Sequence, residues 1–189
     1  MGSKAPTEPD HHKFGFVDLL RIGSGLLVLN YICSWWFTSS YTWGYHGRWL
    51  DARYIKHKVF SEYVELTLDE LSMFNGTDTT LPIYIAINGL VYDVTRSPTI
   101  YGPNGAYSKL AGKDAARVYV TGCFDIPEQY TYDLRGLLSD EVSNDISQWQ
   151  NYFSNHDKYW FVGTVHHENI TGPPPEPCSH MKHPSYYNT

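Results

Sequence analysis

The stretch YGPNGAY at residues 101–107, which continues as SKLAGKDAAR to residue 117, decides the fold that we expect for this chain. Pro103 fixes its own backbone torsion, and the glycines on either side of it allow conformations that other residues avoid. The chain should therefore bend sharply here. Such a bend can aim the phenol groups of Tyr101 and Tyr107 at one place, so we interpret the stretch as the rim of a pocket.

A short helix is expected to follow this bend. Gly112 lets the chain turn, and Asp114 stands where an N-cap belongs, ahead of a helix that reaches Gly122. Upstream of the bend, Thr67 and Glu70 have the spacing of a capping box, in which each side chain satisfies a backbone donor of the other. This box predicts a second short helix.

Strands are predicted on both sides of the bend. Two apolar runs, 83–87 and 90–94, flank Asn88-Gly89, and this dipeptide is the strongest short signal for a β-hairpin. Residues 159–165 form another aromatic and β-branched run that can return to the same sheet. Before it, apolar residues recur every three or four positions after the N-cap candidate Ser139, which predicts one buried helix face. That face comprises Val142, Ile146, Trp149 and Phe153.

The N-terminal part of the chain predicts a single transmembrane helix. Residues 22–45 contain no acidic or basic side chain, and they are long enough to cross a hydrocarbon core of about 30 Å. Tryptophans lie toward the end of this run, as in an interfacial belt; they are Trp35, Trp36, Trp43 and Trp49. A buried helix and a signal peptide are the alternatives, and the lack of a small-x-small cleavage site after the run disfavours the second.

Basic residues stand on both sides of this predicted span. Lys4, Lys13 and Arg21 precede it, and Arg48, Arg53, Lys56 and Lys58 follow it. The slight excess after the span favours a cytosolic C-terminal domain. Residues 46–61 are then a basic juxtamembrane linker that can rest on anionic lipid headgroups. Two sequons, Asn75-Gly76-Thr77 and Asn169-Ile170-Thr171, would argue for the lumen if they carry glycans.

Composition argues against several classes of function. With 14 basic against 20 acidic residues, the net charge is -6, which disfavours nucleic-acid binding because backbone phosphates select a basic face. Cys33, Cys123 and Cys178 have no metal-like spacing, so we expect neither a disulfide framework nor a zinc site, and we favour a reducing compartment. The chain has no hydrolase, phosphate-loop or dinucleotide motif, so we do not expect an enzyme.

Four blocks of the chain resemble the membrane-associated progesterone receptor family, a branch of the cytochrome b5-like heme/steroid-binding domains. They are LTLDELSMFNG at 66–76, IYIAINGLVYDVT at 83–95, YGPNGAYSKLAGKDAAR at 101–117 and DKYWFVGTV at 157–165. The resemblance implies an α+β domain over residues 62–166, preceded by the single membrane helix at 22–45. The other segments are a polar N-terminal segment, 1–21, and a proline-rich C-terminal tail, 167–189, which is either mobile or laid along a partner.

The resemblance also implies a heme site. In this branch the second tyrosine of the bend is the single protein ligand to heme iron, which makes Tyr107 the metal ligand and Tyr101 a residue that lines the pocket. Lys158 and Tyr159 match a Lys-Tyr pair that closes the site. Cytochrome b5 itself uses two histidines, one in a His-Pro-Gly-Gly turn, and the His183-Pro184 of this chain lacks those glycines.

A phenol can serve such an iron. Its unperturbed pKa is about 10, but ferric iron is a strong Lewis acid that can remove the proton. The anionic oxygen then stabilises Fe(III) over Fe(II) and lowers the reduction potential, because axial ligation is the chief influence of a protein on its heme. A five-coordinate heme of low potential suits binding, delivery or sensing better than rapid electron transfer.

The chain departs from the family at Ser108-Lys109-Leu110, where a small or aromatic pair is common. Lys109 could pair with a heme propionate, or it could crowd the heme. Asp114 and Arg117 also match the family. We interpret Asp114 mainly as a helix cap and Arg117 as a surface or propionate-side residue, and we assign neither to the functional site.

The leading hypothesis is a single-pass protein, at the endoplasmic reticulum with its domain cytosolic, that binds heme through Tyr107 and modulates membrane-bound oxidative lipid or sterol enzymes. The family further implies that a second copy can stack on an exposed heme face. The alternative is a heme-free scaffold subunit that holds a membrane complex together through its aromatic span and its tail. A steroid receptor is a third hypothesis, suggested by the family name alone.

Overall fold

The computed structural model describes residues 14–137, 139–176 and 178, except for the side chains of residues 139–141. The chain forms two units, one up to His46 and one from Gly47 onward. In the described residues, the first unit contains one long helix, and the second contains a sheet with the remaining helices.

Helix α1, Phe16–Thr38, is the long helix of the first unit. With 23 residues, it is long and apolar enough to cross a membrane. It begins before the predicted start at Ile22 and ends at Thr38, because Ser39 adopts a left-handed conformation that closes the helix. Residues 39–45 of the predicted span are therefore not part of the helix. An uncharged run shows which residues can lie in a membrane, but it does not show where the helix begins or ends.

The second unit is built on a four-stranded mixed sheet with the strand order β1-β4-β3-β2. The strands are β1 Val64–Thr67, β2 Tyr84–Ile87, β3 Leu90–Asp93 and β4 Trp160–His166. Strands β1 and β4 pair in parallel, and the other pairs are antiparallel. The predicted hairpin is confirmed, since Asn88 and Gly89 have φ angles of 50° and 87°. A tight two-residue hairpin turn requires these two positive values.

The helices of the second unit are α2 Ala52–Phe60, α3 Leu68–Ser72, α4 Pro98–Tyr101, α5 Ala116–Thr121 and α6 Ser139–Asn155. Short 3₁₀ turns lie at Arg48–Leu50, Ser108–Leu110 and Pro127–Gln129. The predicted capping box of α3 is confirmed, because the Thr67 N–H donates to Glu70 Oε2 and the Glu70 N–H donates to Thr67 Oγ1. The predicted apolar face of α6 is also confirmed, and the side chain of Ser139 lies outside the described residues.

Alternate strand residues contribute to two hydrophobic cores. Ile85, Ile87 and Tyr92 lie in one core, which α4, α5 and α6 complete. Ala86 and Val91 lie in the other, which α2 and α3 complete. Because α4 opens the bend that contains both tyrosines, the candidate site belongs to the first of these cores.

The prediction of a juxtamembrane linker at residues 46–61 is wrong, because α2 packs as part of the folded domain. Tyr54 on α2 is 2% exposed, and its ring lies against Trp160 with centroids 5.3 Å apart. Arg48 donates from Nη1 to the backbone oxygens of Ser154 and Tyr159, each at 2.9 Å. These partners are about a hundred positions away in sequence, so the local run of basic residues could not reveal them.

The expectation that the chain has no disulfide is also wrong, because Cys123 and Cys178 form one. The residues that lead to Cys178 lie on the domain itself. Arg135 Nη2 donates to the Gly172 carbonyl at 3.1 Å, and Gln129 Nε2 donates to the Glu176 carbonyl at 2.9 Å. We call residues 172–176 with Cys178 the C-terminal strap. This part of the predicted tail is therefore fixed to the domain itself, and residues 177 and 179–189 lie outside the described residues.

Candidate functional site

The bend after α4 brings Tyr101 and Tyr107 together. The Tyr107 N–H donates to the Ile100 carbonyl oxygen at 2.9 Å, which closes the loop between them. Gly102 and Gly105 are required because a Cβ on either residue would collide with a carbonyl oxygen of α4. Neither glycine has a positive φ. The bend therefore depends on close approach of the backbone to itself, and not on the unusual torsions that the sequence suggested.

The two phenols of the bend differ in exposure. Their ring centroids are 6.4 Å apart, but Tyr101 is only 7% exposed whereas Tyr107 is 43% exposed. The Tyr107 ring packs edge-on against Phe124, with centroids 5.5 Å apart. Tyr107 thus presents a phenol at the surface while its ring is held by two aromatic neighbours.

Tyr101 packs within the core beside a second phenol. Its ring lies 5.8 Å from that of Tyr159, and the Tyr159 hydroxyl donates to Ser97 Oγ at 3.0 Å. Burial, followed by the nearby phenols of Tyr159 and Tyr152, raises the pKa of Tyr101 well above its ordinary value. Tyr101 is therefore held as a neutral phenol that supports the site.

The predicted Lys-Tyr pair is divided between surface and core. Tyr159 is 3% exposed, whereas Lys158 is exposed. The Lys158 N–H donates to His156 Nδ1 at 3.1 Å, and the His156 ring stacks on Tyr159 with centroids 4.0 Å apart. The structure therefore brings Tyr101, Tyr107 and Tyr159 into one cluster and leaves the Lys158 ammonium group in solvent.

Tyr119 on α5 belongs to this cluster and was not predicted. Its hydroxyl oxygen is buried and has no hydrogen-bond partner among the described residues. Burial, together with nearby groups that include the phenols of Tyr101, Tyr130 and Tyr107, raises its pKa well above the ordinary value. A buried donor without a partner is rare in folded proteins, so this hydroxyl is available to donate to a bound group. The sequence VYV around Tyr119 gave no signal beyond a buried helix.

Two lysines lie beside the phenol cluster. Lys109 Nζ and Lys113 Nζ each lie 5.9 Å from the centroid of the Tyr130 ring, within range of a cation–π interaction. The Tyr130 hydroxyl donates to the Phe124 carbonyl, and Phe124 is the residue that packs on Tyr107. At the Ser108-Lys109-Leu110 departure, Leu110 is a core residue, 2% exposed. Lys109 therefore adds a positive charge near the site without displacing its core.

Asp114 is a structural residue, as expected, although its role is wider than the predicted N-cap. Its carboxylate accepts from the backbone N–H groups of Asn88 at 2.9 Å and Gly89 at 2.6 Å, and from Ala116 at 3.2 Å. The position directly before α5 is occupied by Ala115. Asp114 thus joins the start of α5 to the turn of the β-hairpin.

The surface or propionate-side role that we expected for Arg117 is wrong. Its side chain is completely buried, and it donates to Gln129 Oε1 and to the carbonyl oxygens of Asp133, Arg135 and Pro175. Arg117 therefore fixes the C-terminal strap on the domain. No local pattern could show this role, because its partner in the strap is 58 positions away.

Surface clefts also lie beside α2, on the other core of the domain. They are lined by residues that include Arg53, Tyr84 and Trp160, and none of the four predicted site residues lines them. We therefore place the candidate site at the phenol cluster.

The residues of this cluster fit a heme. Tyr107 offers a phenol oxygen at the surface, which is a hard donor suited to ferric iron once it is deprotonated. The aromatic rings of Phe124 and Tyr101 lie beside it, and the Tyr119 hydroxyl lacks a partner among the described residues. Lys109 supplies a cation for a carboxylate.

The chain matches a known domain family. Residues 67–135 match the sequence model described as "Cytochrome b5-like Heme/Steroid binding domain". This match contains the bend with Tyr101 and Tyr107, the helix with Tyr119 and the lysines near Tyr130, and it ends before Lys158 and Tyr159.

Individual proteins match beyond this range. The chain is 41% identical over 102 residues to "Probable steroid-binding protein 3" of Arabidopsis thaliana, which covers 54% of this chain and 98% of that protein. It is 44% identical over 86 residues to "Membrane-associated progesterone-binding protein 4" of the same plant, covering 46% of this chain and 34% of that protein. It is 36% identical over 109 residues to "Cytochrome P450 regulator dap1" of Schizosaccharomyces pombe, covering 55% and 64% respectively.

These relatives are named as binding or regulator proteins, and several names place them in a membrane. The chain spans 34% to 49% of the length of the plant relatives with membrane names. Together with helix α1, these names support an association of the present chain with membranes.

Proposed function

The chain belongs to the cytochrome b5-like heme/steroid-binding family, in the branch of the membrane-associated progesterone receptor relatives, and from this premise we propose that it is a membrane-anchored heme-binding protein. Tyr107 is the single protein ligand to the iron. The protein binds and regulates, and it is not itself an enzyme.

The difference in exposure between Tyr107 and its neighbouring phenols carries this proposal. Tyr107 is 43% exposed, whereas Tyr101, Tyr119 and Tyr159 are each 7% exposed or less. An incoming iron can reach only a phenol that is open to solvent. Burial raises the pKa of Tyr101 and Tyr119 well above the ordinary value, so these two phenols can donate hydrogen bonds but do not supply an anionic oxygen.

Each residue of the cluster then has a separate task. When bound, heme supplies a ferric iron that favours an anionic oxygen donor. Tyr107 would provide that oxygen after losing its phenol proton to solvent, while Phe124 and Tyr101 hold its ring in place. Tyr101 stays protonated because burial, followed by the nearby phenols, raises its pKa. The Tyr119 hydroxyl, which lacks a partner among the described residues, can donate into the bound site.

The lysines at the edge of the cluster can hold the carboxylates of the group. Lys109 Nζ and Lys113 Nζ lie at equal distances from the centroid of the Tyr130 ring. Lys158 is exposed next to Tyr159 and has a flexible side chain, so it can approach the site when a carboxylate is present. An ion pair between a lysine and a heme carboxylate would fix the orientation of the heme relative to the bend.

The names of the relatives and the exposed surface support a proposal for the partners of this chain. Because one relative is named as a cytochrome P450 regulator, we propose that this chain modulates oxidative lipid or sterol enzymes in the membrane of the endoplasmic reticulum. Helix α1 crosses that membrane and contacts its lipid. The exposed edge of the site includes Tyr107 and Tyr152, which are 43% and 47% exposed, and this edge can stack a second copy of the chain on a bound heme.

Titration of the detergent-solubilised chain with hemin tests the binding proposal. We expect saturable binding of one hemin per chain, followed by its absorption band. Tyr107→Phe keeps the aromatic ring and removes only the oxygen, so it should weaken binding by at least about tenfold, the loss usual even for partners outside the first coordination shell.

Tyr63→Phe is the matched control. Tyr63 is 59% exposed and packs on Phe161, away from the bend, so the same loss of a hydroxyl should leave hemin affinity unchanged. Equal affinities for wild type and Tyr107→Phe would contradict the proposed ligand. No binding by the wild type would leave the heme-free scaffold as the function to pursue.

A further inference from the structure

The disulfide between Cys123 and Cys178 is buried in the folded domain. Cys123 directly follows Gly122, the C-cap of α5, and Cys123 and Cys178 are 1% and 6% exposed. Their Cα atoms are 6.6 Å apart, although 55 positions separate them in sequence. This distance lies within the usual range for disulfides. Buried disulfides of this kind persist in the secretory pathway and are rare in the cytosol, where thiols are kept reduced.

The rest of the C-terminal strap is fixed at the same place by independent contacts. Arg117 Nη2 donates to the Pro175 carbonyl at 3.1 Å, and Gln129 Nε2 donates to the Glu176 carbonyl at 2.9 Å. The two donor residues are at most 1% exposed. Because buried donors from two elements are satisfied by the strap, the approach of Cys178 to Cys123 is specified by the fold and does not depend on the sulfur atoms alone.

The basic residues after α1 are compatible with a lumenal domain. Arg48 and Arg53 were counted as juxtamembrane charges, but Arg48 donates to backbone oxygens of the domain and Arg53 pairs with Asp93 at 3.1 Å. Long domains translocate largely regardless of their charge. The N-terminal Lys4 and Lys13 would then lie on the cytosolic side.

We propose that the folded domain lies in the lumen of the secretory pathway and that Asn169 is an N-glycosylation site. This orientation replaces the cytosolic one that the charges and the family suggested. It does not depend on heme binding, and it requires the regulated enzyme to present its contact surface on the lumenal side.

The two covalent steps are supplied by that compartment. The thiols of Cys123 and Cys178 lose two protons and two electrons to the disulfide of a lumenal oxidoreductase, which becomes a dithiol. Asn169 Nδ2 attacks the anomeric carbon of an oligosaccharide carried on a lipid pyrophosphate. A C–N bond forms, the C–O bond to the phosphate breaks, the amide loses a proton, and the lipid pyrophosphate leaves.

The two sequons differ in how they can accommodate a glycan. Asn169 and Thr171 are exposed in the extended segment between β4 and the strap. Asn75 is half-buried, and its Nδ2 donates to the Ser72 carbonyl at 2.9 Å while its Oδ1 accepts from the Thr77 hydroxyl at 2.7 Å. A glycan on Asn75 would replace one of the two Nδ2 hydrogens and would have to fit at a half-buried turn, so Asn169 is the site that the fold accommodates better.

Expression of the full chain in cultured eukaryotic cells, followed by enzymatic deglycosylation and electrophoresis, tests the glycan. We expect the wild-type band to shift on deglycosylation. Asn169→Gln and Thr171→Ala should both run at the shifted position without treatment. Thr171→Ser preserves the sequon and Asn75→Gln leaves Asn169 intact, so both should behave as the wild type does.

Protease treatment of sealed microsomes tests the orientation in the same cells. We expect the domain to be digested only after detergent is added, and the two cysteines to react with a maleimide only after reduction. A domain that is digested without detergent would overturn both parts of the proposal. A domain that is protected but carries no glycan, or whose glycan persists in Asn169→Gln, would overturn the assignment of Asn169. Hemin binding is measured separately on purified protein and fails or succeeds independently.

Discussion

Arg117, a completely buried side chain on α5, donates a hydrogen bond from Nη2 to the carbonyl oxygen of Pro175 at 3.1 Å. The same guanidinium group donates to Gln129 and to the carbonyls of Asp133 and Arg135. The Arg117 side chain thus joins α5, which contributes Tyr119 to the candidate site, to the strap that ends in the disulfide. The planar fork of arginine suits several acceptors at once, and lysine cannot reproduce it.

Replacing this guanidinium group should therefore destabilise the domain. Arg117→Lys leaves buried acceptors without donors, and since hydrogen bonds to charged groups contribute about 1.5–3 kcal/mol each, we expect a loss of about 3 kcal/mol or more. Arg135→Lys is the matched control, because Arg135 also contacts the strap but is 42% exposed. Urea unfolding of the detergent-solubilised chain measures both. Equal losses for the two variants would contradict the role given to Arg117.

The disulfide should contribute stability of a similar size. Cross-linking residues 55 positions apart restricts the unfolded chain, so Cys178→Ala should lower the free energy of unfolding by about 4 kcal/mol. A reductant should lower the unfolding midpoint of the wild type to that of the variant and leave the variant unchanged. Cys33→Ala, which alters the free cysteine of α1, should keep the wild-type response. A wild type that is insensitive to reductant would show that the disulfide does not form.

The buried phenols at the core of the site predict an order of effects. Tyr159→Phe removes the donor to Ser97, and a buried group left without a partner costs about 1–3 kcal/mol. Tyr101→Phe leaves the Tyr159 donation to Ser97 in place, so its cost should be smaller. The cost of the double variant should differ from the sum, because the two rings are in contact, with centroids 5.8 Å apart. Strict additivity would count against this coupling.

Stability should also depend on pH through His156. Burial is the main cause that lowers the pKa of His156 below its ordinary value of 6.5, and its ring stacks on Tyr159. The unfolded chain then binds more protons than the folded chain, so this contribution is fully present above the unfolded pKa and is lost as the pH falls through the folded pKa. His156→Phe keeps an aromatic ring without the titration. Unfolding midpoints from pH 5 to 7.5 should fall less steeply toward acid in the variant.

Local patterns predicted the parts of the fold whose partners are close in sequence. Thr67 and Glu70 form the capping box three residues apart, and Asn88-Gly89 makes a turn whose torsions only such residues favour. The family resemblance pointed to Tyr101, Tyr107 and Tyr159, and the structure places their rings in one cluster. Their role toward heme stays a prediction.

The features that the sequence did not reveal depend on distant partners. Arg117 looks like a surface residue until the strap is seen to cover it, and Cys123 looks unpaired until Cys178 is placed 6.6 Å away between Cα atoms. Among the described residues the Tyr119 hydroxyl has no partner, and this depends on which side chains surround it in the fold. Burial and pairing of this kind are set by tertiary contacts, which no periodicity encodes.

An absorption spectrum of the hemin-loaded chain, recorded before and after dithionite, tests the central claim most directly when wild type is compared with Tyr107→Phe and Tyr107→His. A phenolate ligand predicts a ferric high-spin spectrum in the wild type that resists reduction, because the anionic oxygen stabilises Fe(III). Tyr107→Phe should lose this spectrum, and Tyr107→His should give a heme that dithionite reduces readily. Identical spectra and equal ease of reduction in all three proteins would contradict Tyr107 as the ligand.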